Sequence, residues 1–548
     1  MKVWTCKSLL ISGCWELDQF CQLSPQLAAA HIDSGSPTFV LGTFLPTTIS
    51  RKQWREVRKN ILESIDGITG TGHGFTLLHA FAQSGHDMSC WLLLEKGSAV
   101  NARDEFGYTP LHYAAREGKD AVARLLIDNN ADINAKANDQ TTPLSVAVRA
   151  KRQAMVILLV ENGADLEAKD TDGTTALIMS VRYDWKVCLQ FLVEMQADTN
   201  NSGNDGTTAL KEAVTLGREE MVGMLLEYKA KIVGNTVNGG PLLVYSVKSK
   251  QTGIVKLLVE NGANINEKDT DGRTALVEAV NLGLEGVVRL LLNRKANMEV
   301  KDKHMNTVLI NSVRLKEPEI TRLLLENGAN ASSKGYMGTT PLMESIISRQ
   351  AEIVQLLMKH GAELDAKDLN GKTALIKAVE LRQKDIVIML LENGANPNTK
   401  SRDGASALIE AVTWAQNAIV HKLLQKGADP NTKSRDRNPA LLTAIIMKQK
   451  AVVGYLLESG ADVEATGSDG TTALWAATVA GEIEIAKLLI ERGADTEKRV
   501  KEGLTVLFKS INLGFEGIVK LLIESGANVD SKGSSGRSVN HSGIVSNA

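Results

Sequence analysis

The chain is poor in cysteine, poor in aromatic residues, and carries no surplus of either charge. Its five cysteines, Cys6, Cys14, Cys21, Cys90 and Cys188, are odd in number and mostly near the N-terminus. They form no disulfide framework, so a reducing, cytoplasmic compartment is the expectation. Aromatic residues make up 4% of the chain, too few for the stacking platform that single-stranded nucleic acid needs. Lysine and arginine number 62 against 64 aspartates and glutamates, which leaves no global field to draw nucleic acid or an anionic membrane. No apolar run nears the roughly 20 residues that span a bilayer. No nucleophile stands with a base: His304, His360 and His421 have no recurrent acidic partner.

The first 48 residues follow rules of their own. Leu10-Ile11-Ser12-Gly13-Cys14 has the form of a lipoprotein cleavage site, but Lys7 cuts the apolar stretch before it too short for a signal core. Cys6, Cys14, Cys21 and His31 lack the close cysteine pair of structural zinc sites. Residues 1–48 read as a poorly ordered leader or the remnant of an upstream domain, and no metal or cofactor is expected.

What the chain does have is a period. Thr76, Thr109, Thr142, Thr175 and Thr208 begin a grid of 33 residues that runs on to Thr472 and Thr505, with Pro241, Ser406 and Pro439 filling points that threonine does not. Fourteen grid points follow one another without an insertion. A leucine stands two residues after each, from Leu78 to Leu507, and another seventeen after, from Leu93 to Leu522. Such a period means stacked supersecondary units, each unable to bury its apolar face alone.

One unit shows the physics. In Asp104-Glu105-Phe106-Gly107-Tyr108-Thr109-Pro110-Leu111-His112 the aspartate and glycine are turn chemistry. Thr109 suits a helix N-cap and Pro110 the first helical position. A short helix follows through Ala114 and Ala115 and stops at Gly118. A second carries Val122, Leu125 and Leu126 on one face and ends near Asn130. The expected fold is an all-α solenoid of helix-turn-helix units joined by hairpin-like turns. Residues 70–532 would hold fourteen units, 49–69 an amphipathic capping helix and joint, and 533–548 a disordered polar tail. The capping helix rests on Trp54, Val57, Ile61 and Ile65, with Arg51, Lys52, Arg55, Arg58 and Lys59 on its other side. A helix lying on a membrane surface is the rival reading of that segment.

Thr109-Pro110-Leu111-His112-Tyr113-Ala114-Ala115, with Leu125-Leu126 and Ala131-Asp132-Ile133-Asn134 behind it, resembles the ankyrin repeat, and the resemblance covers residues 70–532. It implies recognition of a protein or peptide on a concave face, and no catalysis. The sequence departs from the pattern in one respect. The histidine after the leucine survives only at His79 and His112, and the capping contact it implies is expected to be missing elsewhere. Asn134, Asn266, Asn398 and Asn431 are similar to asparagines that are hydroxylated in animal ankyrin proteins.

Partner-binding candidates follow from register. Seven and eight residues after the grid point the early repeats place Arg116, Arg149, Arg182 and Tyr183, with Lys248 later; Leu216 opens an apolar series continued by Leu282, Leu315, Leu381, Trp414, Met447 and Leu513. The early part suits an acidic stretch, the later part an apolar helix or strand; packing between repeats is the competing reading of the apolar series. A basic column six residues before the grid point, including Arg103, Lys169, Lys301 and Lys367, is either a solvated edge or part of the site. Ala366 to Thr373 satisfies a loose phosphate-loop pattern but sits at the unit's turn, without a strand before it. The last repeat keeps Phe508, Leu513, Phe515, Ile518, Leu521 and Leu522 in an internal pattern, so a further domain or subunit is expected to cover it. The leading expectation is a non-enzymatic scaffold or adaptor. The rivals are the sensing or targeting array of a larger signalling enzyme or receptor, and a secreted microbial effector.

Overall fold

The computed structural model describes residues 74–234, 240–500 and 503–529. Among these residues lie fourteen helix pairs, one 3-10 turn at Tyr336–Gly338 and no strand. Four isolated antiparallel bridges, Lys400 to Ser406 among them, close the base of a turn. This is the all-α repeat architecture expected. The leader, the capping helix at 49–69 and the tail at 533–548 lie outside the described residues. The chain divides between Asn264 and Ile265 into two compact units. Numbered from Thr76, repeats 1–6 fall in the first unit and repeats 7–14 in the second.

In the first unit the first helices run from Leu77–Ser84 and Pro110–Glu117 to Leu242–Lys248; the second helices, from Asp87–Glu95 to Thr252–Glu260, have nine residues each. Grid threonines are extended at the N-cap, as at Thr142 (φ −106°, ψ 163°), and the Thr142 hydroxyl accepts from the Ser145 N–H at 3.3 Å. Repeats 1 and 2 use histidine instead. His112 Nδ1 accepts from the Thr109 N–H at 3.1 Å, and Nε2 reaches the Thr141 carbonyl of the next repeat at 3.1 Å. Elsewhere the position holds buried Ile178 or Val244, or Lys211, and that cross-repeat bond is absent from those three.

The second unit repeats the plan from Ala275–Asn281 and Glu285–Asn293 to Val506–Asn512 and Glu516–Glu524. Its stacking has a ladder of its own. The amides of Gln350, Gln383, Gln416 and Gln449 donate to the carbonyls of Val313, Ile346, Val379 and Val412, 37 residues back, at 2.6–2.9 Å. Those carbonyls lie in the last turn of the preceding repeat's first helix, where each also accepts from the N–H three residues on, so the glutamine is a second donor that crosses to the next repeat.

Two more ladders recur in both units. Asn134 Oδ1 accepts from the Asp165 N–H at 2.7 Å and Asn398 Oδ1 from the Asp429 N–H at 2.7 Å, each 31 residues on. Arg103, Lys169, Lys301 and Lys367 each donate to the backbone carbonyl 33 residues on, at 2.6–3.0 Å. The basic column is therefore part of the stacking at these four positions, not a free edge.

Both grid leucines of every repeat are buried, each stabilising by about 1.5–3 kcal/mol. Leu291, fully buried in repeat 7, makes this testable. Leu291→Ala is expected to cost about 2–5 kcal/mol, and limited proteolysis should then cut near repeat 7 while distant repeats stay protected. Even loss of protection over the whole chain would contradict nearest-neighbour stability.

Candidate functional site

In every first helix the residues two, five and six places after the grid point are the inward set, as at Leu375, Ala378 and Val379, all buried. The residues seven and eight places after it turn outward. The partner-binding candidates stand in this outward set.

In the first unit Arg116, Arg149, Arg182 and Tyr183 are exposed in consecutive repeats. The Arg116 guanidinium lies 4.7 Å from the Tyr113 ring centre and 3.3 Å from Glu117. Arg149 reaches Asp170 at 3.3 Å, and Arg182 reaches Glu212 at 2.9 Å. Arg149 and Arg182 thus hold acids of the following repeat, which leaves less of their charge for an acidic partner than the sequence implies. A cleft of about 260 Å³ opens between Tyr108, Tyr113, Arg116, Val146 and Arg149, with His112 at its base. The Tyr113 hydroxyl donates to Asp104 at 2.6 Å, and burial followed by that carboxylate pushes its pKa well up.

In the second unit Leu315, Trp414, Met447 and Leu513 are exposed, Trp414 at 48%, while Leu282 and Leu381 are half-buried. Trp414 is therefore not sealed between repeats. Its indole N–H donates to Glu410 at 3.2 Å, and the Arg382 guanidinium lies 5.1 Å from its ring centre. Burial, then repulsion from Glu380, raises the Glu410 carboxyl above its ordinary range. Three further apolar side chains stand outward beside these, Ile347, Ile446 and Val479. Sequence reasoning passed over them, although they occupy the same register as Arg149 and Arg182 seven residues past the grid point.

A second group missed from sequence lies nine residues past it. Lys316, Arg349, Arg382 and Lys448 hold left-handed backbone (φ 61°, 57°, 55° and 57°) where Gly283 and Gly481 stand in other repeats. The conformation costs a non-glycine residue about 1–2 kcal/mol. The stop after the first helix is thus a backbone requirement that glycine meets in only some repeats.

The other candidates resolve as structure. Asp368 Oδ1 accepts from the N–H groups of Asn370 and Lys372, both at 2.9 Å. The amides that a phosphate loop would offer are thereby taken, and Lys372 pairs with Glu380. Asn134 and Asn398 also donate, to the carbonyls of Gly163 and Gly427, so their side chains bridge repeats at both ends. Among the described residues no three His, Cys, Asp or Glu side chains gather as a metal site; Cys6, Cys14, Cys21 and His31 lie outside them. Burial pushes the thiols of Cys90 and Cys188 up to about 12, which makes them inert. No described helix is long and apolar enough to cross a membrane.

His112 gives the site a pH dependence. With Nε2–H facing a carbonyl and Nδ1 accepting, the ring is neutral, and burial lowers its pKa to about 4 from an ordinary 6.5. The unfolded chain binds the extra proton first. The stability that His112 contributes is therefore whole above pH 6.5 and falls as pH drops towards 4. Thermal unfolding of the first unit, followed from pH 7.5 to 4.5, is expected to shift downward over that window. His112→Asn should flatten the shift; an unchanged slope would contradict the assignment.

A family model described as ankyrin repeats in three copies matches residues 55–137, 78–170, 144–236, 231–303, 287–368, 309–401, 360–434, 408–500 and 441–533. No curated protein matches the chain.

Proposed function

The chain belongs to the ankyrin-repeat family, whose repeats are protein-interaction modules, and on that premise we propose that it is a non-enzymatic scaffold or adaptor. It holds a protein or peptide against the outward side of its first helices, the face that the family resemblance makes concave. One observation carries the reading: Leu315, Trp414, Ile446 and Met447 stay exposed seven or eight places past the grid point in one unit. Water-exposed apolar side chains in register form a patch of the kind that marks an interaction surface. A half-exposed tryptophan stacked under an arginine joins two of the residue types in which binding hot spots are enriched. The paired Arg149 and Arg182 of the first unit make a secondary, more polar contact region. The cysteine usage suits a reducing, cytoplasmic setting.

A partner isolated with the chain as bait supplies the test. Trp414→Ala is expected to weaken that partner by about 2 kcal/mol or more while leaving the helical circular dichroism unchanged. Unchanged affinity would remove this face from the function.

A second reading has its own support. Ile523 is 43% exposed in repeat 14 where Leu457 is 8% in repeat 12, and Phe508, Ile511 and Val519 are half-buried where Leu442, Ile445 and Val453 are buried. A further domain or subunit covering this end fits that difference, as it would in the sensing or targeting array of a larger signalling protein. Amide exchange on the 548-residue chain should then be much faster in repeat 14 than in repeats 7–10. Equal protection in a monomeric sample would argue against any such cover.

A further inference from the structure

The left-handed cations run directly beside the apolar positions of the second unit. Leu315, Leu381 and Met447 are each followed by Lys316, Arg382 and Lys448, and Arg349 follows two residues after Ile347. All four cations are exposed. Each keeps a backbone conformation that glycine would adopt freely, at positions where glycine does stand in repeats 7, 13 and 14. The turn requires that conformation in every repeat, Ala415 after Trp414 included, so what singles these four places out is the long cationic side chain that each sets beside an exposed or half-buried apolar residue. The acids of the same face are committed inward. Glu344 pairs with Arg314 at 3.0 Å, Glu380 with Lys372, and Glu410 accepts from the Trp414 indole. Some of the cations have partners too: Lys448 reaches Glu482 at 3.1 Å, and Arg349 touches the Leu381 carbonyl at 3.4 Å. Arg382 lies over the Trp414 ring, which leaves the N–H edge of its guanidinium open to a carboxylate. The face therefore shows an apolar centre and a cationic edge.

Spacing selects the shape of what binds. Neighbouring packed helices lie roughly 8–10 Å apart, so each repeat offers its apolar residue about one such step from the last. An α-helix advances about 10.5 Å in seven residues and returns nearly the same side. A strand returns the same side at about 6.6 Å or 13 Å, in step with neither.

We propose that this face takes an amphipathic α-helix of a partner protein, laid across repeats 9–13, apolar at heptad spacing along one stripe and acidic along the adjoining edge. Ile347, Leu381, Trp414, Met447 and Val479 receive the stripe; Arg349, Arg382 and Lys448 receive the acids. The proposal rests on the protein-binding reading above and adds to it the partner's secondary structure, period and charge.

Three fluorescein-labelled peptides of about 30 residues, four heptads and a turn, provide the test on the full chain by fluorescence anisotropy. The first is helical, with leucine at heptad positions and glutamate beside them. The second replaces each glutamate by lysine. The third has the composition of the first with leucine at every second place. The first is expected to bind at least about tenfold more tightly than either control, since like charges facing one another are strongly disfavoured. The double variant Arg349→Glu/Lys448→Glu, checked by circular dichroism, should reverse the preference between the first two. Equal binding of the glutamate and lysine peptides overturns the cationic edge. Equal binding of the alternating peptide overturns the helix. No binding by any peptide overturns the proposal. Trp414→Ala separates the two readings. If it weakens both charge versions alike and no preference exists, the protein-binding face stands and only this inference falls. If it changes no affinity among peptides that bind, the face itself is wrong.

Discussion

None of the helices can stand alone, and the hydrogen bonds that let them stand reach into the next repeat. Seven to nine residues is below the roughly 12–15 at which an isolated helix becomes marginal in water. In the second unit the last-turn carbonyls of a first helix accept from the turn that follows and, through the glutamine ladder, from the following repeat as well. The asparagine and lysine ladders do the same for the turns. Three offsets, 31, 33 and 37 residues, must be met at once. One inserted residue would break all three at that interface, and this is why the grid admits none.

Within this frame the two units use the same positions differently. The first ties repeat 1 to repeat 2 through His79 and repeat 2 to repeat 3 through His112, with Phe75, Tyr108 and Tyr113 packed around them, and pairs its outward arginines with acids. The second fills the histidine position with Ile310, Met343, Ile376 or Ile409, all buried, and leaves apolar side chains outward.

Periodicity made the helices, their caps and the buried leucines legible, because burial and capping each demand a residue type at a fixed place. Trp414 and Met447 could be located as candidates for the same reason, but not their exposure, which depends on how closely the neighbouring repeat approaches. Ile347, Ile446 and Val479 were passed over because an aliphatic residue at a helix end reads equally well as packing. Lys316 and Arg382 are by residue type ordinary surface charge. Their meaning lies in a positive φ, and nothing in the identity of a lysine or arginine announces that. The pairing of Arg182 with Glu212 crosses 30 residues and becomes visible only when the repeats are stacked.

The ladders also determine how such a chain can change over generations. Because each rung joins a residue to a fixed place in the neighbouring repeat, an unequal crossover that adds or removes a whole repeat restores every rung, while any other length change destroys several together. Residues seven and eight places past the grid point take no part in these three ladders, so exchanging them leaves the ladders intact. Lineages descended from this gene would then differ in two separable ways, in the number of units and in the outward residues, and a new specificity could arise by reshuffling units already stable with their neighbours.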